Sequence, residues 1–230
     1  MIRVLIADDN PLARAGLGAI LSLEPGIDVV GSAEHGGEVV PLARAVHPDV
    51  VCMDITLPGR DPMSIVAELS AQDTSGSVPV LVLSTFDVDE HVFSALEAGA
   101  SGFLLKSAEP RIIVEALRHV AAGEGVIDQA LTGRVLREFS LRRALQPVVV
   151  SGSHGLLSGR ELQIVQLLAE GLSNAEIAVR LFLEVSTVKS HLGRIMAKIG
   201  VGSRLQAVVW AYQSGIVEFT RDSFRVSALN

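Results

Sequence analysis

Five polar residues in the first half of this 230-residue chain stand directly after apolar runs, and together they could carry phosphate or metal chemistry. Each has an ordinary explanation by itself, since carboxylates cap helices and turns, a serine can start a turn and a lysine can end in solvent. Clustered carboxylates, however, repel one another unless a cation offsets their charge, and hard oxygen ligands suit Mg²⁺. The five residues are Asp8, Asp9, Asp54, Ser84 and Lys106.

The apolar runs before these residues predict the strands of a parallel sheet. Strand-like runs lie at residues 3–7, 27–31, 49–53, 80–84 and 102–105. Helical spacing of apolar residues fills the intervals, at 12–23, 37–46, 63–71, 89–98 and 109–121. This alternation predicts an α/β fold with helices on both faces of the sheet. Ligand-binding groups of such a sheet lie at the carboxyl ends of its strands, so the five polar residues should meet there.

The order and spacing of these residues, with 30 positions from Asp54 to Ser84 and 22 from Ser84 to Lys106, resemble those of response-regulator receiver domains. The resemblance covers residues 1–122 and implies a flavodoxin-like domain with a five-stranded parallel sheet. It implies that Asp54 takes a phosphoryl group from a sensor histidine kinase. It also implies that Mg²⁺ is held by Asp8, Asp9, Asp54 and the backbone carbonyl of Thr56.

The same resemblance implies a switch in the fourth and fifth units. Lys106 would pair with the phosphoryl oxygens, and Ser84 would donate its hydroxyl to one of them. Movement of Ser84 would vacate space that Phe103 fills by turning inward, which changes the surface of these units. One departure is Pro62, where most relatives have glycine. Because proline fixes φ and removes an amide donor, we expect a stiffer loop and altered kinetics.

Charge is distributed unevenly along the chain. Residues 1–122 hold 7 Lys/Arg against 17 Asp/Glu, whereas residues 151–230 hold 8 against 6. This asymmetry predicts two domains with different partners, and the mildly basic second half permits nucleic-acid binding. The single cysteine, Cys52, excludes an intramolecular disulfide. No apolar stretch approaches the roughly 18 residues of a membrane span, so we expect a cytoplasmic protein without a membrane partner.

A linker is expected between the halves, at residues 123–155. Gly123 and Gly125 are predicted to end the last receiver helix, and apolar spacing resumes over residues 128–145. The favoured interpretation is a solvated linker helix, with docking against the receiver as the alternative. The Gly/Ser-rich residues 151–155 predict a flexible connection.

The second half shows helical patterns only. Ser158 and Glu161 form a capping-box signature for a helix that ends at Gly171. Ser173 or Asn174 would cap a second helix to residue 181, and further helices are predicted over 186–199 and 204–214. Two helices joined by a turn of a few residues predict a small all-α helix-turn-helix domain.

The helix at 186–199 has two unlike sides. Its core side is predicted to hold Val185, Val188, Leu192, Ile195 and Ile199. Its outward side would hold Lys189, Ser190, Gly193, Arg194 and Lys198. Small and basic residues on an exposed helix suit close approach to a DNA groove, with cations available to phosphates or to guanine edges. A solvated amphipathic helix would show the same pattern.

Three segments resemble the LuxR-type DNA-binding domain: LSGRE at 157–161, GLSNAEIA at 171–178 and STVKSH at 186–191. The resemblance spans residues 156–217, leaves 218–230 as a tail, and with the receiver pattern indicates the NarL/FixJ family. It implies that Lys189, Ser190 and Gly193 face bases and that Thr187, Arg194 and Lys198 lie near the DNA backbone. Gly193 stands where a larger residue is common.

The leading hypothesis is a transcription regulator that binds promoter DNA as a homodimer after phosphorylation of Asp54. One alternative is a DNA-binding regulator whose receiver serves as a protein-docking module regardless of phosphate. Another is a phosphatase of the haloacid-dehalogenase kind that uses an aspartyl-phosphate. Such a phosphatase needs a second carboxylate two residues after the nucleophile, where this chain has Thr56, so we expect no enzyme.

Overall fold

The computed structural model describes residues 1–71, 77–85, 89–128, 131 and 156–217. The chain divides into two compact units, with the boundary between residues 135 and 136. The helix predicted over residues 128–145 lies mostly outside the described residues, and the connection at 151–155 and the tail at 218–230 lie entirely outside them. Each unit is built around its own apolar core.

The first unit is a parallel sheet in the order β2-β1-β3-β4-β5-β6, with every neighbouring pair parallel. The predicted parallel α/β fold is therefore confirmed, but the strand number was wrong because the sheet has six strands and not five. The strands are β1 (Ile2–Ala7), β2 (Ile27–Ala33), β3 (Val50–Asp54), β4 (Val80–Ser84), β5 (Gly102–Leu105) and β6 (Val126–Ile127).

Within the described part of the first unit, five helices accompany the sheet. They are α1 (Pro11–Ser22), α2 (Gly36–Val46), α3 (Pro62–Ser70), α4 (Asp89–Ala98) and α5 (Pro110–Ala121). A proline opens α1, α3 and α5, where an amide would have no partner within the helix and a fixed φ favours the first turn. Pro62 therefore begins α3, with the Asp61 side chain accepting from the Ser64 amide at 2.8 Å.

The core of the first unit lies between the sheet and its helices. Alternate residues of β1, β3 and β4 pack with Leu21 of α1 and with the apolar side of α5. All five residues of β3 are buried, as expected for a central strand covered on both faces. Leu12, which fits the helical spacing of α1, is instead 82% exposed at its first turn.

The unpredicted strand β6 covers the outer edge of β5. Gly102 is paired with Val126 and Phe103 with Ile127, and the amide of Asp128 donates to the Phe103 carbonyl at 2.8 Å. The Asp128 carboxylate in turn accepts from the Leu105 amide at 3.2 Å. Residues 126–128, which follow α5, are thus held against β5.

The second unit contains α6 (Gly159–Ala169), α7 (Asn174–Leu181), α8 (Val185–Ile199) and α9 (Arg204–Gln213). Capping boxes begin α6, with Ser158 and Glu161, and α7, with Ser173 and Glu176. Gly171 follows α6 with φ +87°, as the sequence predicted. The turn between α7 and α8 passes through Phe182, whose φ of +54° is unusual for a residue other than glycine.

The core of the second unit is formed by the inner faces of its four described helices. Val188, Leu192 and Ile195 of α8 are buried, as predicted. Val185 was predicted to face the core but is 40% exposed, because it is the first residue of α8 and lies at the edge of the packed face. Among the described helices, none has the length and apolar character to cross a membrane.

Candidate functional site

A cluster of carboxylates lies at the carboxyl edge of the sheet, where β1 and β3 end side by side. Asp8 follows β1, Asp9 comes next, and Asp54 is the last residue of β3. Their carboxylate oxygens lie within 4.8 Å of one another. Asp8 and Asp54 are buried, at 4% and 3% exposure, whereas Asp9 is open to solvent. The structure thus places the three predicted carboxylates close together.

Lys106 connects two of these carboxylates. Its Nζ donates to Asp8 Oδ2 at 2.6 Å and to Asp54 Oδ2 at 2.8 Å, and its side chain is 17% exposed. Burial of the ammonium opposes its charge, but the hydrogen bonds and negative charges of Asp54 and Asp8 outweigh this effect and raise the pKa of Lys106. Lys106 is therefore a fixed cation at the bottom of an acidic site.

Thr56 holds the Asp54 carboxylate from the other side. Its amide donates to Asp54 Oδ1 at 3.1 Å and its hydroxyl donates to Asp54 Oδ2 at 2.9 Å. With Lys106, Asp54 accepts three hydrogen bonds, which fix the plane of its carboxylate. Thr56 supplies a hydroxyl where the alternative phosphatase chemistry would need a carboxylate.

The two predicted switch residues are fully buried. Ser84 ends β4 and Phe103 lies in β5, each with 0% exposure. The backbone carbonyl of Ser84 accepts from the amide of Lys106 at 2.7 Å, so the ends of β4 and β5 are joined beside the acidic cluster. The ring of Phe103 is already buried in this structure.

Arg14 is a neighbour of the acidic cluster that sequence reasoning missed. Its guanidinium donates to the backbone carbonyl of Asp8 at 2.5 Å and forms an ion pair with Glu34 at 3.0 Å. Arg14 lies on α1 and Glu34 follows β2, so the contact holds the β1–α1 loop that carries Asp8 and Asp9. A basic residue one turn into α1 was the signal that could have revealed it.

The donor set fits a small divalent cation. Three carboxylates offer hard oxygen ligands at one point, and one of them, Asp9, is exposed to solvent as an entering ion requires. Cys52 is close to the cluster but is buried within β3, and burial first, with the Asp8 charge second, raises its thiol pKa to about 12. The thiol therefore stays protonated and is not a competing soft ligand.

The second candidate site is the outward face of α8. Lys189, Ser190 and Arg194 are exposed on this helix, and Thr187 and Gly193 are partly exposed beside them. A Cβ built on Gly193 would meet no atom within 4 Å, so the missing side chain leaves open space on this face. Arg194 lies 3.3 Å from the His191 ring, the only contact recorded for its guanidinium within the described residues.

Lys198 differs from the other cations of α8. Its Nζ lies 2.8 Å and 2.7 Å from the two carboxylate oxygens of Glu161, which is buried at the beginning of α6. The hydrogen bonds from Lys198 and from the Ser158 amide lower the pKa of Glu161 to about 2. The ammonium that the sequence assigned to the DNA backbone is thus paired with a buried carboxylate of the same unit.

Two further arginines hold the ends of helices together. Arg160 of α6 donates to the carbonyl of Leu181 at 2.6 Å, and Arg204 of α9 donates to the side chain of Asn174 at 2.7 Å. Arg180, at the end of α7, is exposed and has no ion pair within the described part of the chain. Arg180 therefore joins Lys189 and Arg194 as an outward cation that the sequence analysis did not single out.

Comparison with known proteins assigns the first and the second part of the chain to two different families. Residues 4–118 match the response regulator receiver domain, and residues 155–211 match bacterial regulatory proteins of the luxR family. The transcriptional regulatory protein LiaR of Bacillus subtilis (strain 168) is 36% identical over 217 residues, which cover 94% of this chain and 100% of that protein.

Two other relatives extend along most of the chain. The nitrate/nitrite response regulator protein NarL of Escherichia coli (strain K12) is 36% identical over 213 residues, covering 93% of this chain and 96% of NarL. A crystal structure of the response regulator ChrA, from a heme-sensing two-component system, matches with a TM-score of 0.50 and 34% identity. It covers 94% of this chain and 98% of ChrA. Both units are therefore present in the same order in these proteins.

Proposed function

Because the chain belongs to the LuxR-family response regulators of two-component systems, we propose that phosphorylation of Asp54 by a sensor histidine kinase controls its binding to promoter DNA. This family consists of DNA-binding transcription regulators and not of enzymes. The observation that carries the proposal is the geometry around Asp54, where one carboxylate is fixed by Thr56 and Lys106 beside two further carboxylates.

Phosphoryl transfer needs an oriented nucleophile and compensation of charge. An oxygen of Asp54 forms a bond to phosphorus as the phosphorus–nitrogen bond of the kinase phosphohistidine breaks, and the electron pair goes to the imidazole, which takes a proton from water. Thr56 and Lys106 hold the carboxylate before the reaction, so little reorientation is needed.

Asp8, Asp9, Asp54 and the backbone carbonyl of Thr56 are the groups that would hold Mg²⁺, whose charge offsets that of the phosphoryl oxygens. Before the reaction, both carboxylate neighbours of Lys106 favour its charged form and, against the effect of burial, raise its pKa. After transfer, its ammonium and the Ser84 hydroxyl bind phosphoryl oxygens. The amide of Lys106 is bonded to the Ser84 carbonyl, so both groups shift with the ends of β4 and β5.

The altered surface near β4, β5 and the buried ring of Phe103 favours a homodimer in which two α8 helices contact neighbouring half-sites. By the resemblance to the LuxR-type domain, Lys189, Ser190 and Gly193 face the bases and Thr187 and Arg194 lie along the backbone. In support, three of these residues are exposed on α8, and Thr187 and Gly193 are partly exposed beside them. Arg180 of α7 adds a further phosphate contact. The role of Lys198 is treated below, because its ammonium is already paired.

The test is the intact mass of the full-length protein after incubation with acetyl phosphate and Mg²⁺, compared with the Asp54→Asn variant. We expect a gain of one phosphoryl group that is lost in the variant, together with dimerisation and tighter binding to DNA fragments that the protein selects from a random-sequence pool. Substitution of Ser107, which lies outside the cluster and is exposed, serves as the matched control and should leave phosphorylation unchanged.

Two results would contradict parts of the proposal. If the wild type gains no phosphoryl group yet selects DNA, the receiver unit is a docking module and phosphate is not the signal. If phosphorylation occurs but neither form selects DNA, the second unit has another partner. Equal DNA affinity of the phosphorylated and unphosphorylated protein would show that phosphorylation of Asp54 does not control DNA binding.

A further inference from the structure

The ion pair of Lys198 with Glu161 joins the end of α8 to the beginning of α6. The Glu161 side chain is 6% exposed and its Oε2 also accepts from the Ser158 amide at 2.8 Å, so the capping box fixes its position. Each charge also complements its own helix, since the carboxylate lies in the first turn of α6 and the ammonium in the last turn of α8.

We propose that Lys198 is a positioning residue, which holds the carboxyl end of α8 on α6 through Glu161 and so sets the direction in which α8 presents Lys189 and Arg194. It is not a contact to DNA phosphate. This inference rests on the proposed DNA binding and deepens it, because it divides the basic residues of the second unit by task. Lys198, Arg160 and Arg204 hold helix ends, whereas Arg180, Lys189 and Arg194 are available to DNA.

The position of the Lys198–Glu161 ion pair at the carboxyl end of α8 explains how it can affect exposed residues elsewhere on that helix. The core residues Val188, Leu192 and Ile195 fix α8 along its middle, and the ion pair is a further attachment near its carboxyl end. A helix of 15 residues extends about 22 Å. A small rotation of α8 about these core residues therefore displaces Lys189, near the amino end, and changes the direction of Arg194, which lies between Leu192 and Ile195.

Loss of the ammonium would leave a buried carboxylate without its counter-charge. Such a group is costly because its Coulomb partner is gone while its desolvation remains, whereas removal of both charges restores an uncharged contact. We therefore expect Lys198→Met to release the end of α8 toward water. The double substitution Glu161→Gln with Lys198→Met should keep this end packed, since glutamine still accepts from the Ser158 amide.

The experiment measures the affinity of full-length variants for a duplex that the wild type recovers from a random-sequence pool, by fluorescence anisotropy over a range of KCl concentrations. Lys198→Met should weaken binding on the order of tenfold at every salt concentration, as for coupled residues in one network. The Glu161→Gln/Lys198→Met protein should recover most of this loss and keep the wild-type salt dependence. Arg194→Met is the matched control, and it should reduce the log–log salt slope by about 0.9, as one lost phosphate contact does.

Thermal unfolding followed by fluorescence of Trp210, the single tryptophan of the chain, confirms that each variant is folded during the measurement. A salt slope in the double variant that is reduced as in Arg194→Met would show that Lys198 contacts phosphate and would overturn the inference. Unchanged affinity of folded Lys198→Met would also overturn it, leaving a role in stability only. A wild type that selects no duplex would contradict DNA binding itself, and the positioning role with it.

Discussion

Asp54 and Glu161 are buried carboxylates that each accept from a lysine ammonium, and the tasks proposed for them differ. Asp54 lies beside two other carboxylates at a sheet edge, where a cation and a phosphoryl group can approach. Glu161 is satisfied by Lys198 and Ser158, and its side chain is almost fully covered. The two carboxylates therefore differ in their neighbours, because Asp54 belongs to a cluster of acidic groups whereas Glu161 is paired with a single cation and a helix cap.

The pH dependence of stability follows from Glu161. Its pKa is about 2 in the folded protein and near 4.5 in the unfolded chain, so its contribution is complete above pH 4.5 and is lost as the pH falls toward 2. We expect the unfolding midpoint of the second unit, read from Trp210 fluorescence, to decrease across this interval. Glu161→Gln should flatten this part of the profile, and an unchanged profile in that variant would contradict the assignment.

Phe182 has strained backbone geometry with no compensating burial of its ring. It has φ +54° in the turn between α7 and α8 and is 96% exposed. Because asparagine tolerates this conformation better, Phe182→Asn should raise the free energy of unfolding by about 1 kcal/mol in guanidinium titrations followed at Trp210. Phe182→Ala retains the strain and should give no gain. Lower stability of Phe182→Asn would mean that the ring contributes contacts of its own.

At the scale of elements, β5 can pack closely against β4 and α5 because its first residue, Gly102, has no side chain. A Cβ on Gly102 would come within 2.7 Å of Leu81 and 3.1 Å of Val120, whereas Gly16 on α1 has nothing within 4 Å. Gly102→Ala should therefore destabilise the first unit by about 1–3 kcal/mol through overpacking. Gly16→Ala should stabilise it by about 0.5–1 kcal/mol, because alanine favours a helix interior. Far-UV circular dichroism during denaturation measures both, and equal effects would contradict the packing argument.

The elements that the sequence predicted well share a clear periodic pattern. β4, β5 and α4 have the predicted bounds, and the carboxylate after the buried run of β3 lies where parallel-sheet topology requires it. β6 was missed because Val126 and Ile127 make a run of only two residues, which is too short for a strand signal. Its partner β5 precedes it in the chain and is separated from it by α5, so pairing across the sheet and not local propensity forms β6.

The helical pattern of α8 could not predict the contact of Lys198 with α6, because that contact depends on how far the side chain extends toward another helix. The pattern correctly placed Lys198 away from the core residues of its own helix, and the side chain is indeed 44% exposed. The pattern of α8 gave no information about α6, where the Lys198 ammonium contacts the buried carboxylate of Glu161. The same limit applies to Arg14, whose contact with the carbonyl of Asp8 depends on how α1 packs beside β1.

At the scale of the whole molecule, the two units differ in charge and in optical properties. The acidic surplus lies in residues 1–122, with 7 Lys/Arg against 17 Asp/Glu, so the part that holds the proposed Mg²⁺ repels DNA while the second half is mildly basic. The single tryptophan and the single tyrosine, Trp210 and Tyr212, both lie on α9. Intrinsic fluorescence therefore reports on the second unit alone.

This separation gives a test of Mg²⁺ binding. Addition of Mg²⁺ at a hundredfold excess over its dissociation constant should stabilise the first unit by about 2.7 kcal/mol, and chelation should reverse the effect. Denaturation followed by far-UV circular dichroism should show the shift, whereas the transition seen by Trp210 should stay in place. Asp9→Asn removes an exposed ligand and should reduce the shift. A circular dichroism transition that does not move when Mg²⁺ is added would contradict the metal site.

The pairing of β6 with β5 determines where the chain can be joined in a chimeric protein that combines this receiver with the DNA-binding part of another regulator. A chimeric protein joined at residue 122, directly after α5, would replace the native partner of β5 by foreign sequence. The Leu105 amide would lose the Asp128 carboxylate, and the buried side chain of Leu131 would be removed with it. A junction beyond residue 131 keeps this edge closed. The part of the chain that folds around this sheet therefore extends beyond the residues 4–118 that match the receiver family, because β6 is part of the sheet.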